Sequence, residues 1–162
     1  MRFLDWLGIT AAGKPPEVGD AAPGAVSRDE QGREVRLADL YREGLVLVYF
    51  YPKADTPGCT AEACSLRDDF TALCDRGVRV VGVSADGPDA QRRFKEKYRL
   101  PFMLLADHDR AVARAFGVRL ILGLPHRQSF LIKDGRIVWR DLHASTGGQA
   151  RDVLKALERL KG

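Results

Sequence analysis

The sequence predicts an α/β domain, in which helices and a β-sheet pack in layers. Residues 45–50 form a continuous apolar run, Leu-Val-Leu-Val-Tyr-Phe, bounded by Gly44 and Pro52. A run that is apolar at every position is typical of a strand buried on both faces, so we expect a central strand here. Helical and strand-like segments alternate after it, which indicates helices layered on a sheet.

Short turn signals mark two β-hairpins on either side of this alternating region. Gln31-Gly32 separates extended stretches at 25–28 and 34–37, which indicates a small peripheral hairpin. Asp134-Gly135 is typical of a tight turn and separates strands at 129–132 and 137–139. Between the hairpins the sequence predicts helices at 57–75, 88–98 and 109–116, strands at 78–84 and 102–105, and a loop at 117–125. The last helix is amphipathic, with apolar residues Val153, Leu154, Leu157 and Leu160 at helical spacing.

A chain of 162 residues has the length of one domain. We expect an N-terminal tail at 1–17 and one domain at 18–162. No apolar stretch approaches the roughly 18 residues of a membrane span, and the apolar N-terminus is interrupted by Asp5, so the cytoplasm is the expected location. The tail residues Phe3, Trp6 and Leu7 are expected to pack on the domain or fray, with membrane or partner docking as the alternative.

The charge pattern gives little support for nucleic-acid binding. The formal net charge is +4, from 26 Lys and Arg against 22 Asp and Glu that alternate with them along the chain. The densest basic stretch lies in a predicted helix and is interrupted by Glu96, so we interpret it as a solvated helix face, with a binding patch as the alternative. Its members are Arg92, Arg93, Lys95, Lys97 and Arg99.

Three cysteines are too few, and odd in number, for a multi-disulfide framework, so a reactive thiol is the better interpretation. The three histidines lie in predicted loops, and no Cys-x-x-Cys or His-x-x-x-His spacing occurs, so we predict no metal, with zinc as the alternative. They are His108, His126 and His143.

Cys59 lies where the central strand passes into the first long helix. Thr56 is suited to cap that helix and Pro57 to its first position. Free backbone N–H groups and the positive end of the helix dipole favour a thiolate at such a position. Gly58 is a poor helix former, so it makes the first turn easier to open and leaves room for a substrate against the backbone.

Helical geometry assigns different surroundings to the three cysteines. At about 100° per residue, Cys59 and Cys74 share an apolar, inward stripe, on which Cys74 is expected to be a structural residue. Cys64 is rotated from Cys59 by about 140° and is expected to be accessible to solvent. In a helix the Cα atoms of Cys59 and Cys64 would be about 8.6 Å apart, beyond the roughly 7 Å limit for a disulfide. The helix must therefore unwind before these two residues can bond.

Pro52, Thr56 and Cys59 reproduce the Pro-x-x-x-Thr-x-x-Cys motif of peroxiredoxins, and the run 49–64 resembles the bacterioferritin comigratory protein, or peroxiredoxin Q, subfamily. The resemblance extends over roughly residues 18–160. Further matches are Val18-Gly19-Asp20, Ala22-Pro23, residues 105–109 and residues 127–132. It implies a thioredoxin-like fold, with a central mixed β-sheet flanked by helices and a β-hairpin added near the N-terminus.

The resemblance also implies a function and a role for each site residue. The chain would reduce hydrogen peroxide and organic hydroperoxides without a cofactor. Thioredoxin or a similar dithiol protein would reduce the oxidised enzyme again, and the enzyme would be a monomer. Cys59 would be the peroxidatic cysteine and Cys64 the resolving one, joined in an intramolecular disulfide. Thr56 and Arg127 would bind thiolate and peroxide, Pro52 would shield the thiolate, and Glu62 would help to hold Arg127.

The chain departs from the subfamily at two places. Gly24-Ala25 stands where relatives usually have an acidic residue and Phe, which puts the packing of the first hairpin in question. The segment 117–125 is shorter than in many relatives, which leaves the loop beside the site, and the preferred peroxide, open.

Each assignment has a plainer alternative. Cys59 could be an inert buried thiol and Cys64 a spectator, in which case an outside thiol would resolve the enzyme. Arg127 could be only a surface ion-pair residue, and Glu62 a solvent-facing helix charge. At the level of function, the rivals are a disulfide reductase of the same fold and a redox-sensing module whose disulfide changes a partner surface.

Overall fold

The computed structural model of this chain describes residues 9, 10 and 13–161. The tail residues Phe3, Trp6 and Leu7 lie outside the described residues, and the division at residue 17 stays a prediction. The strands are β1 (Ile9–Thr10), β2 (Val26–Arg28), β3 (Glu34–Arg36), β4 (Leu45–Phe50), β5 (Val78–Ser84), β6 (Met103–Ala106), β7 (Leu120–Ile121), β8 (Leu124–Pro125), β9 (Gln128–Lys133) and β10 (Arg136–Asp141). The helices are α1 (Leu37–Leu40), α2 (Pro57–Asp68), α3 (Phe70–Asp75), α4 (Pro88–Tyr98), α5 (Ala111–Ala115) and α6 (Gln149–Lys161), with a 3-10 turn at Tyr41–Glu43.

A five-stranded mixed sheet in the order β10-β9-β4-β5-β6 forms the centre of the fold. β4 pairs with β5 in parallel and with β9 in antiparallel fashion, so the apolar run 45–50 is the middle strand, as predicted. The Asp134-Gly135 hairpin of β9 and β10 is also confirmed. Within the described residues, no helix has both the length and the apolar character needed to cross a membrane.

Alternate residues of β4 point into two separate cores. Val46, Val48 and Phe50 pack in one core with α1, α5 and the first hairpin, whereas Leu47 and Tyr49 pack in the other with α2, α4 and α6. Burying one large apolar side chain stabilises the folded state by roughly 1.5–3 kcal/mol. The two cores therefore hold both helical layers on the sheet. The α/β class with a central mixed sheet is therefore confirmed.

The first hairpin is formed by β2 and β3 and lies outside the five-stranded sheet. Glu30 lies in the turn of this hairpin and is buried, and it accepts hydrogen bonds from Lys95 Nζ at 2.5 Å and from the backbone N–H of Leu104 at 3.3 Å. The Gly24-Ala25 departure does not disrupt it, because Ala25 packs on the core and its carbonyl accepts from the N–H of Leu37 at 3.0 Å.

The helix predicted at 57–75 is two helices, and the prediction for Cys74 is wrong. The chain leaves helical geometry at Asp69, with φ −102° and ψ 17°, so α2 ends at Asp68 and α3 begins at Phe70. Leu73 stays buried, whereas Cys74 is exposed to solvent. The inward stripe assumed one uninterrupted helix, and the break at Asp69 ends it before Cys74.

The segment predicted as a loop at 117–125 contains two strands that the sequence did not reveal. β7 and β8 form a hairpin, and β1 pairs with β7 on its other side. The turn residues Leu122 and Gly123 both have positive φ, 53° and 76°, the pattern of a tight hairpin turn. Strands of two residues are too short for any periodicity, and leucine at the first turn position gives no turn signal.

Gly82, in β5, is packed so closely that a side chain at this position would collide with its neighbours. A Cβ atom there would lie 2.9 Å from Leu104 Cδ2 and 2.9 Å from the ring of Tyr49. We expect Gly82→Ala to lower the free energy of unfolding by about 1–3 kcal/mol, because both neighbours are packed in the core. Urea unfolding of this variant and of Gly24→Ala, where a Cβ meets nothing within 4 Å, measures the difference. Equal stability of the two variants would contradict the prediction.

Candidate functional site

The candidate site lies where the end of β4 leads into the start of α2. Thr56 is the N-cap residue, with extended backbone, and Pro57 begins the helix, as predicted. The Thr56 side chain does not cap the helix, however. Its hydroxyl donates to the carbonyl of Lys53 at 2.7 Å, so the predicted side-chain cap is wrong although its position is right.

Cys59 is buried, with 3% of its surface exposed. It points into the core formed with Tyr49, Tyr51 and Ala63, the inward direction predicted from the helical stripe. Its place two residues after Pro57 leaves it in the first turn of α2, where backbone N–H groups have no partner within the helix.

Arg127 reaches this thiol from a distant part of the chain. It directly precedes β9, and its Nη2 donates to Cys59 Sγ at 3.4 Å across 68 residues of sequence. Its Nη1 donates to Glu62 Oε1 at 2.7 Å. The alternative of a surface ion-pair residue is wrong, because Arg127 is only partly exposed and contacts two buried side chains. The backbone is tied as well, since the N–H of Ala144 donates to the carbonyl of Arg127 at 3.2 Å.

Glu62 is fully buried, so the alternative of a solvent-facing helix charge is wrong. Burial raises the pKa of its carboxyl to about 7, and the neighbouring Arg127 works against this rise. Burial has the opposite effect on the pKa of the guanidinium. Partial burial disfavours its charge, yet Glu62 and Cys59 beside it raise the pKa of Arg127. Glu62 Oε2 has no hydrogen-bond partner in the described structure.

Gly58 leaves space for the Arg127 side chain beside Cys59. A Cβ atom at this position would lie 3.1 Å from Arg127 Nη2 and 3.4 Å from Thr146 Cγ2. The absence of a side chain thus lets the guanidinium approach the first turn of α2. Thr146 also lies beside Gly58, and the sequence did not indicate it because a threonine in a polar loop carries no motif.

Among the described residues, the hydrogen bonds of the structure join none of the other predicted residues to the thiol. The Thr56 hydroxyl donates to the carbonyl of Lys53, and half-buried Pro52 follows β4. Cys64 is half-buried on α2, and all three cysteines are free thiols. Because α2 is continuous from 57 to 68, the roughly 8.6 Å separation of the Cys59 and Cys64 Cα atoms applies to this form.

The histidines take no part in this cluster. The rings of His126 and His143 contact each other with centroids 5.7 Å apart. Burial, followed by the charges of His143, Arg119 and Arg127, lowers the pKa of His126. Among the described residues, no group of three or more His, Cys, Asp or Glu side chains is arranged to hold a metal ion.

The site therefore combines a buried thiol, a fixed positive charge and a buried carboxyl that holds that charge in place. A thiolate here would be the nucleophile, and the guanidinium could stabilise negative charge that develops beside it. Such a centre is suited to attack on a small electrophile whose leaving group departs as an anion.

Comparisons with known proteins agree with this chemistry. The AhpC/TSA family matches residues 18–140. Peroxiredoxin Bcp of Escherichia coli strain K12 is 47% identical over 131 residues, which cover 76% of this chain and 83% of that protein. Peroxidoxin BcpB of Mycobacterium tuberculosis has a crystal structure with TM-score 0.83 and 33% identity, covering 91% of this chain and 99% of that one.

A third relative is the bacterioferritin comigratory protein of Xanthomonas campestris, whose structures concern its alkyl peroxide reduction activity. It matches with TM-score 0.78 and 26% identity, covering 91% of this chain and 98% of that one. The subfamily resemblance and the thioredoxin-like fold predicted from residues 49–64 are confirmed by these relatives.

Glu62 gives a pH-dependent prediction. Its folded-state pKa, about 7, lies above the ordinary 4.5, so the unfolded chain releases this proton first as the pH rises. Glu62 therefore lowers the free energy of unfolding progressively as the pH rises from about 4.5 to 7, by up to about 3 kcal/mol. Glu62→Gln removes the titration. Any difference between the neutral carboxyl and the amide adds only an offset that does not change with pH, and the attraction between ionised Glu62 and Arg127 is already contained in the folded-state pKa.

We expect the unfolding free energy of Glu62→Gln, relative to the unmodified protein, to rise between pH 4.5 and 7 and then to level off. Urea titrations at half-unit pH steps measure this. A difference that is flat or falls with pH would show that Glu62 is already ionised at acidic pH.

Proposed function

The chain belongs to the AhpC/TSA family, within its peroxiredoxin Q branch, and we propose that Cys59 is the peroxidatic cysteine of this thiol-dependent peroxidase. The observation that carries the assignment is the hydrogen bond from Arg127 Nη2 to the buried Sγ of Cys59 at 3.4 Å. Neither of the other two cysteines has a cationic side chain within hydrogen-bond distance among the described contacts.

In the first step, the Cys59 thiolate attacks one peroxide oxygen and the O–O bond breaks. The other oxygen leaves with the electron pair and takes up a proton, as water or an alcohol, and Cys59 becomes a sulfenic acid. Arg127 meets the negative charge that develops on the leaving oxygen, and it is already held in place by Glu62, so no reorganisation is needed during the reaction.

Thr56 and Pro52 complete the proposed site. The Thr56 hydroxyl uses its proton on the carbonyl of Lys53, so its lone pairs are free to accept a hydrogen bond from a peroxide O–H group. This fixes the hydroxyl as an acceptor, whereas Arg127 only donates. Pro52, half-buried at the end of β4, contributes no N–H and shields the thiolate from water.

In the second step, the thiol of Cys64 condenses with the Cys59 sulfenic acid, forming an S–S bond and releasing water. The two Cα atoms, about 8.6 Å apart in a continuous helix, must approach within roughly 7 Å. The first turn of α2 therefore unwinds between the steps. The Cys59–Arg127 hydrogen bond and the helix geometry around Gly58 belong to the folded, peroxide-binding form.

A dithiol protein then reduces the disulfide, and we propose thioredoxin or a protein like it, acting on a monomeric enzyme in the cytoplasm. The alkyl peroxide activity studied in the Xanthomonas campestris relative supports organic hydroperoxides as substrates beside hydrogen peroxide. The chemistry of these steps is carried by protein side chains, and we propose that no metal or cofactor takes part.

Two other functions are distinguishable from this one. A disulfide reductase of this fold would need a second cysteine three residues before Cys59, where Thr56 stands. A redox sensor would consume about one equivalent of peroxide per protein. Steady consumption of many equivalents with thioredoxin, its reductase and a hydride donor present would support the peroxidase.

Intact mass after one equivalent of peroxide tests the roles of the cysteines. We expect the unmodified protein to lose two hydrogens as the disulfide forms, and Cys64→Ser to gain one oxygen as trapped sulfenic acid. Cys74→Ser should behave like the unmodified protein, because the proposed steps use only Cys59 and Cys64, and Cys74 is a free, exposed thiol. If Cys64→Ser keeps its mass and a free Cys59, the mechanism is wrong. If Cys64→Ser turns over at the normal rate, Cys64 is a spectator.

Gly58→Ala tests whether the approach of Arg127 to the thiol matters. The added Cβ, 3.1 Å from Arg127 Nη2, displaces the guanidinium by a few tenths of an ångström, and we expect the rate constant with hydrogen peroxide to fall about tenfold. Stability should stay the same or rise by up to about 1 kcal/mol, because alanine is the better helix former. Gly147→Ala, whose Cβ meets nothing within 4 Å, is the control. Unchanged activity of Gly58→Ala would contradict the proposal.

A further inference from the structure

The loop between β4 and α2 is fastened to helix α4 through Asp55. Asp55 Oδ1 accepts a hydrogen bond from the Tyr98 hydroxyl at 2.6 Å, and Oδ2 accepts one from Lys97 Nζ at 2.9 Å. Hydrogen bonds from Tyr98 and then from Lys97 lower the pKa of Asp55. The carboxylate therefore stays ionised at neutral pH and holds both donors. We call Asp55, Lys97 and Tyr98 the Asp55 clasp.

The backbone of Asp55 has an unfavourable conformation. Its φ is +58°, in the left-handed region that residues with a side chain seldom adopt. Aspartate tolerates this region better than most residues, but the conformation still costs free energy. The two side-chain contacts on α4 offset that cost while the loop is in place, and the strain favours release once they are lost.

Beside Asp55, Ala54 packs against the core, and the other recorded contacts of this loop are hydrogen bonds. The N–H of Ala54 donates to Asp86 Oδ2 at 2.8 Å, and the Thr56 hydroxyl bonds within the loop, to Lys53. Among the described contacts, the side-chain ties from the loop to the helical layer are those of Asp55. Because the loop leads directly into the first turn of α2, it must yield when that turn unwinds.

Building on the proposed function, we propose that Asp55 is a positioning residue whose clasp on Tyr98 and Lys97 sets how readily the first turn of α2 unwinds after Cys59 is oxidised. The clasp belongs to the folded form, so it stabilises that form against the unwound one. It thereby governs the time that a Cys59 sulfenic acid spends next to Arg127, still accessible to peroxide.

That time decides between two fates of the sulfenic acid. In the unwound form Cys64 attacks it, an S–S bond forms and water leaves. In the folded form a second peroxide molecule oxidises it to a sulfinic acid, with transfer of one oxygen and release of water or an alcohol. A stronger clasp therefore favours over-oxidation, and a weaker one favours the disulfide.

Two conservative substitutions weaken the clasp without touching the site. Asp55→Asn removes the charge but keeps a residue that tolerates positive φ. Tyr98→Phe removes one hydroxyl and keeps the ring, which packs on Phe94 at 5.5 Å. The control is Asp89→Asn, which breaks a comparable exposed ion pair to Arg92, 3.0 Å long, on the same helix.

The experiment measures, by quenched-flow intact mass, the ratio of sulfinic acid to disulfide formed at a fixed excess of hydrogen peroxide. We expect this ratio to fall about threefold to tenfold in Asp55→Asn and in Tyr98→Phe, as for loss of a charge-assisted hydrogen bond. The rate constant of the first oxidation should stay within about twofold of the unmodified protein, since the folded form still predominates. General loosening of the site would lower that rate constant as well.

A ratio equal to that of Asp89→Asn, or a higher one, in both clasp variants would overturn the proposal. The double variant should show less than the product of the single effects, because both changes act on one contact. Failure of the underlying function has a different signature: the unmodified protein itself would then form neither sulfenic acid nor disulfide.

Discussion

The arrangement of the candidate site depends on one half-buried guanidinium. Arg127 places Nη1 on Glu62 and Nη2 on Cys59 Sγ, at 2.7 and 3.4 Å, so one side chain joins the carboxyl that positions it and the thiol that it serves. A buried carboxylate without a partner would be costly, and so would an unpaired guanidinium. Because each group needs the others, the site is arranged before any substrate arrives.

The rest of the fold supplies the two sides of this contact. β9 carries Arg127 at its start and β4 leads to Cys59, and because these strands pair directly, in antiparallel fashion, the two residues meet at the same edge of the sheet. α2 then turns Cys59 and Glu62 inward together. Gly58, by lacking a side chain, leaves the space through which the guanidinium passes.

The proposed cycle requires a site that is rigid when peroxide binds and a helix that unwinds before the disulfide forms. The free energy that holds the first turn of α2 in place therefore cannot be large, and it is divided among Arg127, the loop before the helix and the helix itself. The Asp55 clasp lies outside the site, so it is able to change the balance between the two forms without changing the reacting groups. In our proposal, this separates the speed of peroxide attack from the choice between disulfide and sulfinic acid.

Local and periodic signals in the sequence determined much of this protein. The apolar run 45–50, the Asp134-Gly135 turn and the position of Cys59 at a helix start were all readable, because each depends on near neighbours in the chain. What depends on distant contacts was not readable. The burial of Glu62 and the approach of Arg127 and Thr146 to the start of α2 arise where segments far apart in sequence meet, and only tertiary packing decides which groups are brought together.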